Sequence, residues 1–232
     1  MNQERSQRPL VIEGVTRIVV GIALLAVILF VPAGRWDWMM GWALIAVCVV
    51  LVLVNWNVLM AKNPEVVRER MHGGKGVKLW DKIVAGSMGP FALVMLLLPG
   101  LDRRFAWSEP IALWLQITGL VLLAAGDLFF LWAMAVNKFF ASMVRIQTER
   151  GHHVVSDGPY RYVRHPGYVS WLAMMFGLAL ALGSVWALPP AGIMAALMLL
   201  RTALEDRTLK SELAGYAEYA ERVRYRLIPG VW

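Results

Sequence analysis

Three of the chain's four histidines, His152, His153 and His165, fall in the polar stretch from Gly151 to Tyr168, between two apolar runs each long enough to cross a bilayer. Imidazole, phenol and guanidinium groups at that density could bind a polar ligand or move protons, and lipid-facing helices could not hold them. His152 and His153 are adjacent rather than at the i, i+4 spacing of a zinc pair, and the single cysteine, Cys48, lies inside an apolar run, so no metal site is expected. No G-x-S-x-G elbow surrounds Ser156, and no dinucleotide fingerprint follows a strand. Gly73-Gly74-Lys75-Gly76 reads as a flexible loop. A second reactive pair is Arg201 and Glu205, whose i, i+4 spacing on the last apolar run lets both face one cavity where the helix leaves the membrane. The alternatives at this level are an ordinary basic loop between spans and a plain Arg201–Glu205 ion pair.

The elements that must position these groups are helical and apolar. Hydrophobic residues make up 59% of the 232, with 11 Trp, which excludes an ordinary soluble domain. The net charge of +7 lies in discrete clusters between apolar runs, a pattern of membrane topology rather than of nucleic-acid binding. Six spans are expected: Ile18–Ala33 extended back toward Val11, Met39–Met60, a short Ile83–Leu98 interrupted by Pro90, Ile111–Val136, Val169–Leu188, and Ala191 to about Leu204. The last two read as a hairpin broken only by Pro189-Pro190. Alternate loops hold 20 of the 23 lysines and arginines, so the polar stretch and the C-terminal tail share the cytoplasmic face and both termini are cytoplasmic. Gly158-Pro159 marks a turn, and Pro166 drives His165 out of the α region just before a helix begins. Asp127, inside the fourth span, needs an interior partner such as Gln116. Beyond Leu204 the spacing of Leu209, Leu213, Tyr216 and Tyr219 among charges predicts an amphipathic helix on the cytoplasmic surface, weakened at Gly215. The chain reads as an all-α integral membrane protein forming one domain over 1–232, with four spans in 1–136 and the polar loop, hairpin and tail in 137–232.

Gly158-Pro159-Tyr160, then Arg164-His165-Pro166-x-Tyr168, then Glu205-Asp206-x-x-Leu209 after the last span and Gly215-Tyr216-x-x-Tyr219 in the tail form a set. Together, from Asn137 to Pro229, they resemble the isoprenylcysteine carboxyl methyltransferase family and its relatives, the phospholipid N-methyltransferases. The resemblance implies an integral membrane enzyme that binds S-adenosyl-L-methionine at the cytoplasmic face and methylates a lipidic or apolar acceptor, with no nucleic-acid partner. It implies cofactor contacts at Gln147, at His152, His153, Val154 and Val155, at Tyr160, at His165, Pro166, Gly167 and Tyr168, and at Glu205. The resemblance also puts Arg201 in the place of the substrate-contacting arginine and implies that Arg201 and Glu205 are the catalytic pair. The sequence departs from the family where Asp206 replaces the second acid of a Glu-Glu pair, and in a segment from Gln147 to His152 shorter than in the eukaryotic enzymes. Amine N-methylation and a sterol-reductase-like, NADPH-dependent activity are the competing readings, and the oligomeric state is not legible.

Overall fold

A computed structural model describes residues 2–72 and 76–232, so Gly73, Gly74 and Lys75 of the glycine-rich loop lie outside the described residues. Eight α-helices follow in order among the described residues: α1 Asn2–Ala33, α2 Met39–Lys62, α3 Pro64–His72, α4 Leu79–Phe105, α5 Leu113–Val136, α6 Pro166–Ala181, α7 Leu188–Glu212 and α8 Tyr216–Arg222. Among those residues there is no strand. This is a multi-pass integral membrane protein: five segments, Val11–Ala33, α2, α4, α5 and Val185–Glu212, are long and apolar enough to cross a bilayer. Their outward faces carry Val19, Val31, Leu53, Val121 and Leu199, the apolar exposure that lipid rather than water tolerates.

The expected sixth span differs. The run predicted as Val169–Leu188 forms the 16-residue α6, about 24 Å at 1.5 Å per residue and short of a hydrocarbon core of about 30 Å. Pro189 and Pro190 do not break a hairpin; they occupy the first turn of α7, where a missing N–H costs no hydrogen bond. The chain reverses earlier instead, through Gly183 and the 3-10 turn Val185–Ala187. The third span is likewise not short, because α4 runs 27 residues through both Pro90 and Pro99.

Packing closes the helices on one another, with α5 against α6, α1 and α7 against α4, and α2 against α5. The α5–α6 contact is the closest. A Cβ on Gly119 would lie 2.6 Å from the Gly177 carbonyl oxygen, and one on Gly177 would lie 2.6 Å from the Leu123 nitrogen, so both positions need glycine for the backbones to meet. Asp127 finds its partner on α2 rather than at Gln116: Asn55 Nδ2 donates to it at 2.7 Å, whereas Gln116 donates to the Ile111 carbonyl at 2.6 Å. At the C-terminal end of α4, Asp102 accepts from Ser108 N, Ser108 Oγ and Ser184 Oγ at 2.8, 2.7 and 2.5 Å, tying the loops at that end. The stretch after Leu204 is helical in two pieces, parted at Gly215 where the sequence placed its weak point. The last long helix continues to Glu212, Gly215 turns the chain with φ +77°, and α8 folds back with Tyr216 and Tyr219 buried against Ala133, Tyr160 and Leu213.

Candidate active site

At the opposite end from Asp102, the segment between α5 and α6, the first turn of α6, the C-terminal half of α7 and α8 surround a cleft with about 820 Å³ of empty space, counting its open mouth. The proline chemistry read from the sequence sets the geometry: His165 caps α6 at φ −123°, outside the α region, and Pro166 starts the helix. The cleft is lined by His152, His153, Val154, Val155, Tyr160, His165, Pro166, Gly167, Tyr168, Arg201 and Glu205, together with Asn137, Phe139 and Phe140. Gln147 does not line it. Its side chain is buried behind the wall, where Nε2 donates to the Phe139 carbonyl at 2.6 Å and Oε1 accepts from Arg150 at 2.5 Å, so it supports the wall instead of facing a ligand.

Hydrogen bonds hold the polar rings of the cleft from behind. Asn137 Nδ2 donates to the Tyr160 hydroxyl at 3.1 Å, and the Tyr219 hydroxyl donates to the Tyr160 carbonyl at 2.7 Å. Burial pushes the phenols of Tyr160, Tyr216 and Tyr219 above their ordinary pKa, so they stay protonated as donors at neutral pH. His152 packs against Phe139 with ring centroids 4.5 Å apart and planes tilted by 35°, and it accepts at Nδ1 from the Gln147 N–H at 3.3 Å. Burial, reinforced by His153 and by Arg145 and Arg150, lowers the His152 pKa to about 4, which keeps the ring neutral. Arg145 donates to Glu69 on α3 at 2.9 and 3.0 Å and to Glu149 at 2.6 Å, and Arg150 donates to Glu65 at 2.7 Å, so α3 braces the loop that carries the histidines.

Arg201 and Glu205 both line the cleft, as their helical spacing requires, but they are not each other's ion partners. The Tyr168 hydroxyl donates to Glu205, in a bond between α6 and α7. Arg201 donates from Nε and one terminal nitrogen to Asp81 at 2.6 and 3.1 Å and lies over the Tyr168 ring at 5.3 Å. One residue beyond Glu205, Asp206 faces away from the ligand side. It accepts from Arg164 Nε, Arg226 Nε and the Tyr216 hydroxyl at 2.7, 3.0 and 3.1 Å, with Lys210 Nζ at 3.1 Å and His165 Nε2 at 3.5 Å.

Sequence reasoning missed Asp81, Asn137, Phe139 and Phe140. Asp81 lies in the first turn of α4, inside what reads as a loop ending at Lys82, and its partner is 120 positions away, so local spacing carries no signal for it. The aromatic pair Phe139-Phe140 directly after a span and before the histidines was the one visible hint. Phe140 fits against Gly167, where a Cβ would lie 2.7 Å from its ring.

Residues 114–214 match the family model described as Phospholipid methyltransferase. Among curated proteins, the protein-S-isoprenylcysteine O-methyltransferase of Homo sapiens is 30% identical over 118 residues, 47% of this chain and 40% of the relative. Protein-S-isoprenylcysteine O-methyltransferase B of Arabidopsis thaliana is 25% identical over 167 residues, covering 66% of this chain and 79% of the relative. The chain therefore spans about two-fifths of the human relative's length and most of the plant one's. Among solved structures, the eukaryotic intramembrane Ras methyltransferase, an isoprenylcysteine carboxyl methyltransferase, superposes with a TM-score of 0.55 over 90% of this chain and 74% of that chain, at 17% identity. The fold is shared at that level, and the resemblance carried by the motifs holds.

Proposed function

We propose that this chain is an S-adenosyl-L-methionine-dependent methyltransferase that O-methylates the carboxylate of a lipidic or apolar acceptor at the cytoplasmic face of a membrane, acting as one membrane domain with both termini cytoplasmic. The observation that carries the reading is the cleft itself. It gathers His152 to Val155, Tyr160 and His165 to Tyr168 from the polar stretch and Arg201 and Glu205 from α7 around one space, and the similar proteins are methyltransferases.

The lining fits the cofactor chemically. The Phe139 and Tyr216 rings and Val154, Val155, Leu209 and Leu213 offer apolar and stacking surface for a purine, while Glu205 offers an anion to a cationic group. When bound, S-adenosyl-L-methionine supplies a methyl group activated by the sulfonium. The protein's part is alignment and dryness, because an in-line displacement gains most from a fixed approach of the reacting atoms. Arg201 holds the acceptor carboxylate, and Glu205, fixed by Tyr168, holds the cofactor side. As the new C–O bond forms and the C–S bond breaks, an anion and a cation become neutral, a change that a water-poor pocket favours over bulk water. No general base is required, which agrees with a His152 ring held neutral by its burial rather than poised near pH 7.

A second reading, N-methylation of an amine, is favoured by one specific observation. Arg201 is already paired with Asp81, and the bond shown for Glu205 comes from the neutral Tyr168 hydroxyl, so its carboxylate can receive a cationic acceptor. One experiment separates the readings. Purified protein in lipid nanodiscs is titrated calorimetrically with S-adenosyl-L-methionine and with NADPH, then assayed for methyl transfer to an S-prenylated cysteine bearing a free carboxylate and to phosphatidylethanolamine. Binding of the methyl donor and transfer to the carboxylate are expected. Transfer to the amine alone would install the second reading, and NADPH binding without the methyl donor would overturn both. Reporter fusions at Met1 and Trp232 test the topology, and an extracytoplasmic signal from either end would overturn it.

A further inference from the structure

We propose that Asp81 is the positioning residue of the acceptor site: it grips one edge of the Arg201 guanidinium, on the far side from the acceptor, so that the opposite nitrogen is presented to the acceptor's anion. The inference rests on the carboxylate-methylating reading and deepens it.

A guanidinium carries five N–H donors in a fixed plane, so how many are already committed decides what it can offer a ligand. In Arg201 the Nε donor goes to Asp81 Oδ1 at 2.6 Å, and one terminal nitrogen serves Asp81 Oδ2 at 3.1 Å and the Ser142 carbonyl at 2.9 Å. Those bonds use three donors. The other terminal nitrogen makes no hydrogen bond to any described residue, while the side chain lines the cleft. The Tyr168 ring lies under the guanidinium at 5.3 Å, and its hydroxyl holds Glu205, so the plane is fixed by its edge and by its face. Asp81 also accepts from the Val144 N–H at 2.6 Å, and the Lys78 N–H donates to the Val144 carbonyl at 3.0 Å. One fully buried carboxylate thereby joins the start of α4, the cleft wall at 142–144 and α7. A buried arginine stripped of this partner would be an uncompensated charge that turns toward any available oxygen, and its aim would be lost before its charge.

The substitution Asp81→Asn tests the role. It keeps one oxygen but replaces the other with a donor, which must face either the Arg201 guanidinium or the Val144 N–H. The expected result is a tenfold to hundredfold fall in kcat/KM for the S-prenylated cysteine carboxylate, with affinity for S-adenosyl-L-methionine within about twofold of wild type. A role confined to holding the fold would leave the loss intact when Arg201 is absent. The inference instead requires that Asp81→Asn cost less than about threefold in an Arg201→Ala background, because the losses are then one loss counted twice. If Asp81→Asn alone does not bind the cofactor, the Asp81→Asn/Arg201→Met protein, which removes the buried charge pair together, must bind it; failure there overturns the inference. A wild type active on the carboxylate whose two substitutions add independently overturns the inference and leaves the reading standing. A wild type that binds cofactor yet never methylates the carboxylate removes both.

Discussion

Two buried arginine–carboxylate hubs sit on neighbouring turns of α7, and they are built to opposite ends. Asp206 with Arg164 is saturated: four side-chain donors within 3.1 Å surround the carboxylate, while Arg164 spends its remaining nitrogen on the Val223 and Arg224 carbonyls at 2.7 and 2.8 Å. Asp81 with Arg201 is open, since the guanidinium keeps one nitrogen facing the cleft. Both pairs are nearly inaccessible to water, so burial does not separate them, and neither does charge. What differs is the number of donors left over. A buried guanidinium whose every nitrogen is engaged is structure, and one with a nitrogen to spare is prepared for a ligand.

The largest effect should come from the saturated hub. Asp206→Ala strands Arg164 and Arg226 beside a cavity and is expected to destabilise the protein by about 3 to 5 kcal/mol, abolishing cofactor binding along with the fold; detergent-solubilised thermal melts and the yield of folded protein measure it. A stable, well-folded Asp206→Ala protein that merely loses activity would erase the distinction between the hubs.

At the open hub, Arg201→Ala should cost about 1.5 to 3 kcal/mol of transition-state binding, or roughly tenfold to a hundredfold in kcat/KM for a carboxylate acceptor. Cofactor affinity should stay near wild type, as read by calorimetry. Arg201→Lys should restore little, because an ammonium is a point charge and cannot reproduce the planar, paired-donor grip of the guanidinium. Full activity of Arg201→Ala on an amine would shift the acceptor assignment to the N-methylating reading.

Tyr168→Phe removes the donor that holds Glu205 and keeps the ring beneath Arg201. Cofactor affinity is expected to fall by about 1.5 to 3 kcal/mol, the range for a hydrogen bond to a charged group. His165→Ala should also weaken it, and unchanged calorimetric affinity in both variants would take the loop out of the cofactor site.

The smallest effect should be seen with pH. His152 has its pKa lowered to about 4 by burial, so the unfolded chain binds the proton more readily than the folded one between that value and about 6.5. The contribution is fully present above about pH 6.5 and is lost as the pH falls toward 4. Thermal midpoints measured across this window should drop with acidification, and His152→Phe should flatten the dependence; an equally steep curve in the variant would assign the titration to another group.

The sequence by itself determined the membrane-embedded helical class, the boundaries of α2 and α5 and the C-terminal end of α1 to within a few residues, and the polar stretch as a wall of the cleft, because apolar run length and proline or glycine position act locally. It also brought Arg201 and Glu205 to one face, since four residues is about one helical turn. The tertiary structure decided what spacing cannot encode. Asp81 meets Arg201 across 120 positions, Asn55 rather than Gln116 answers Asp127, Gln147 turns behind the wall, and α8 packs its tyrosines against Ala133 and Tyr160. In each case a buried polar or aromatic group is satisfied by whichever partner the packing of distant helices places within about 3 Å, and a linear pattern of residue types carries no record of that distance.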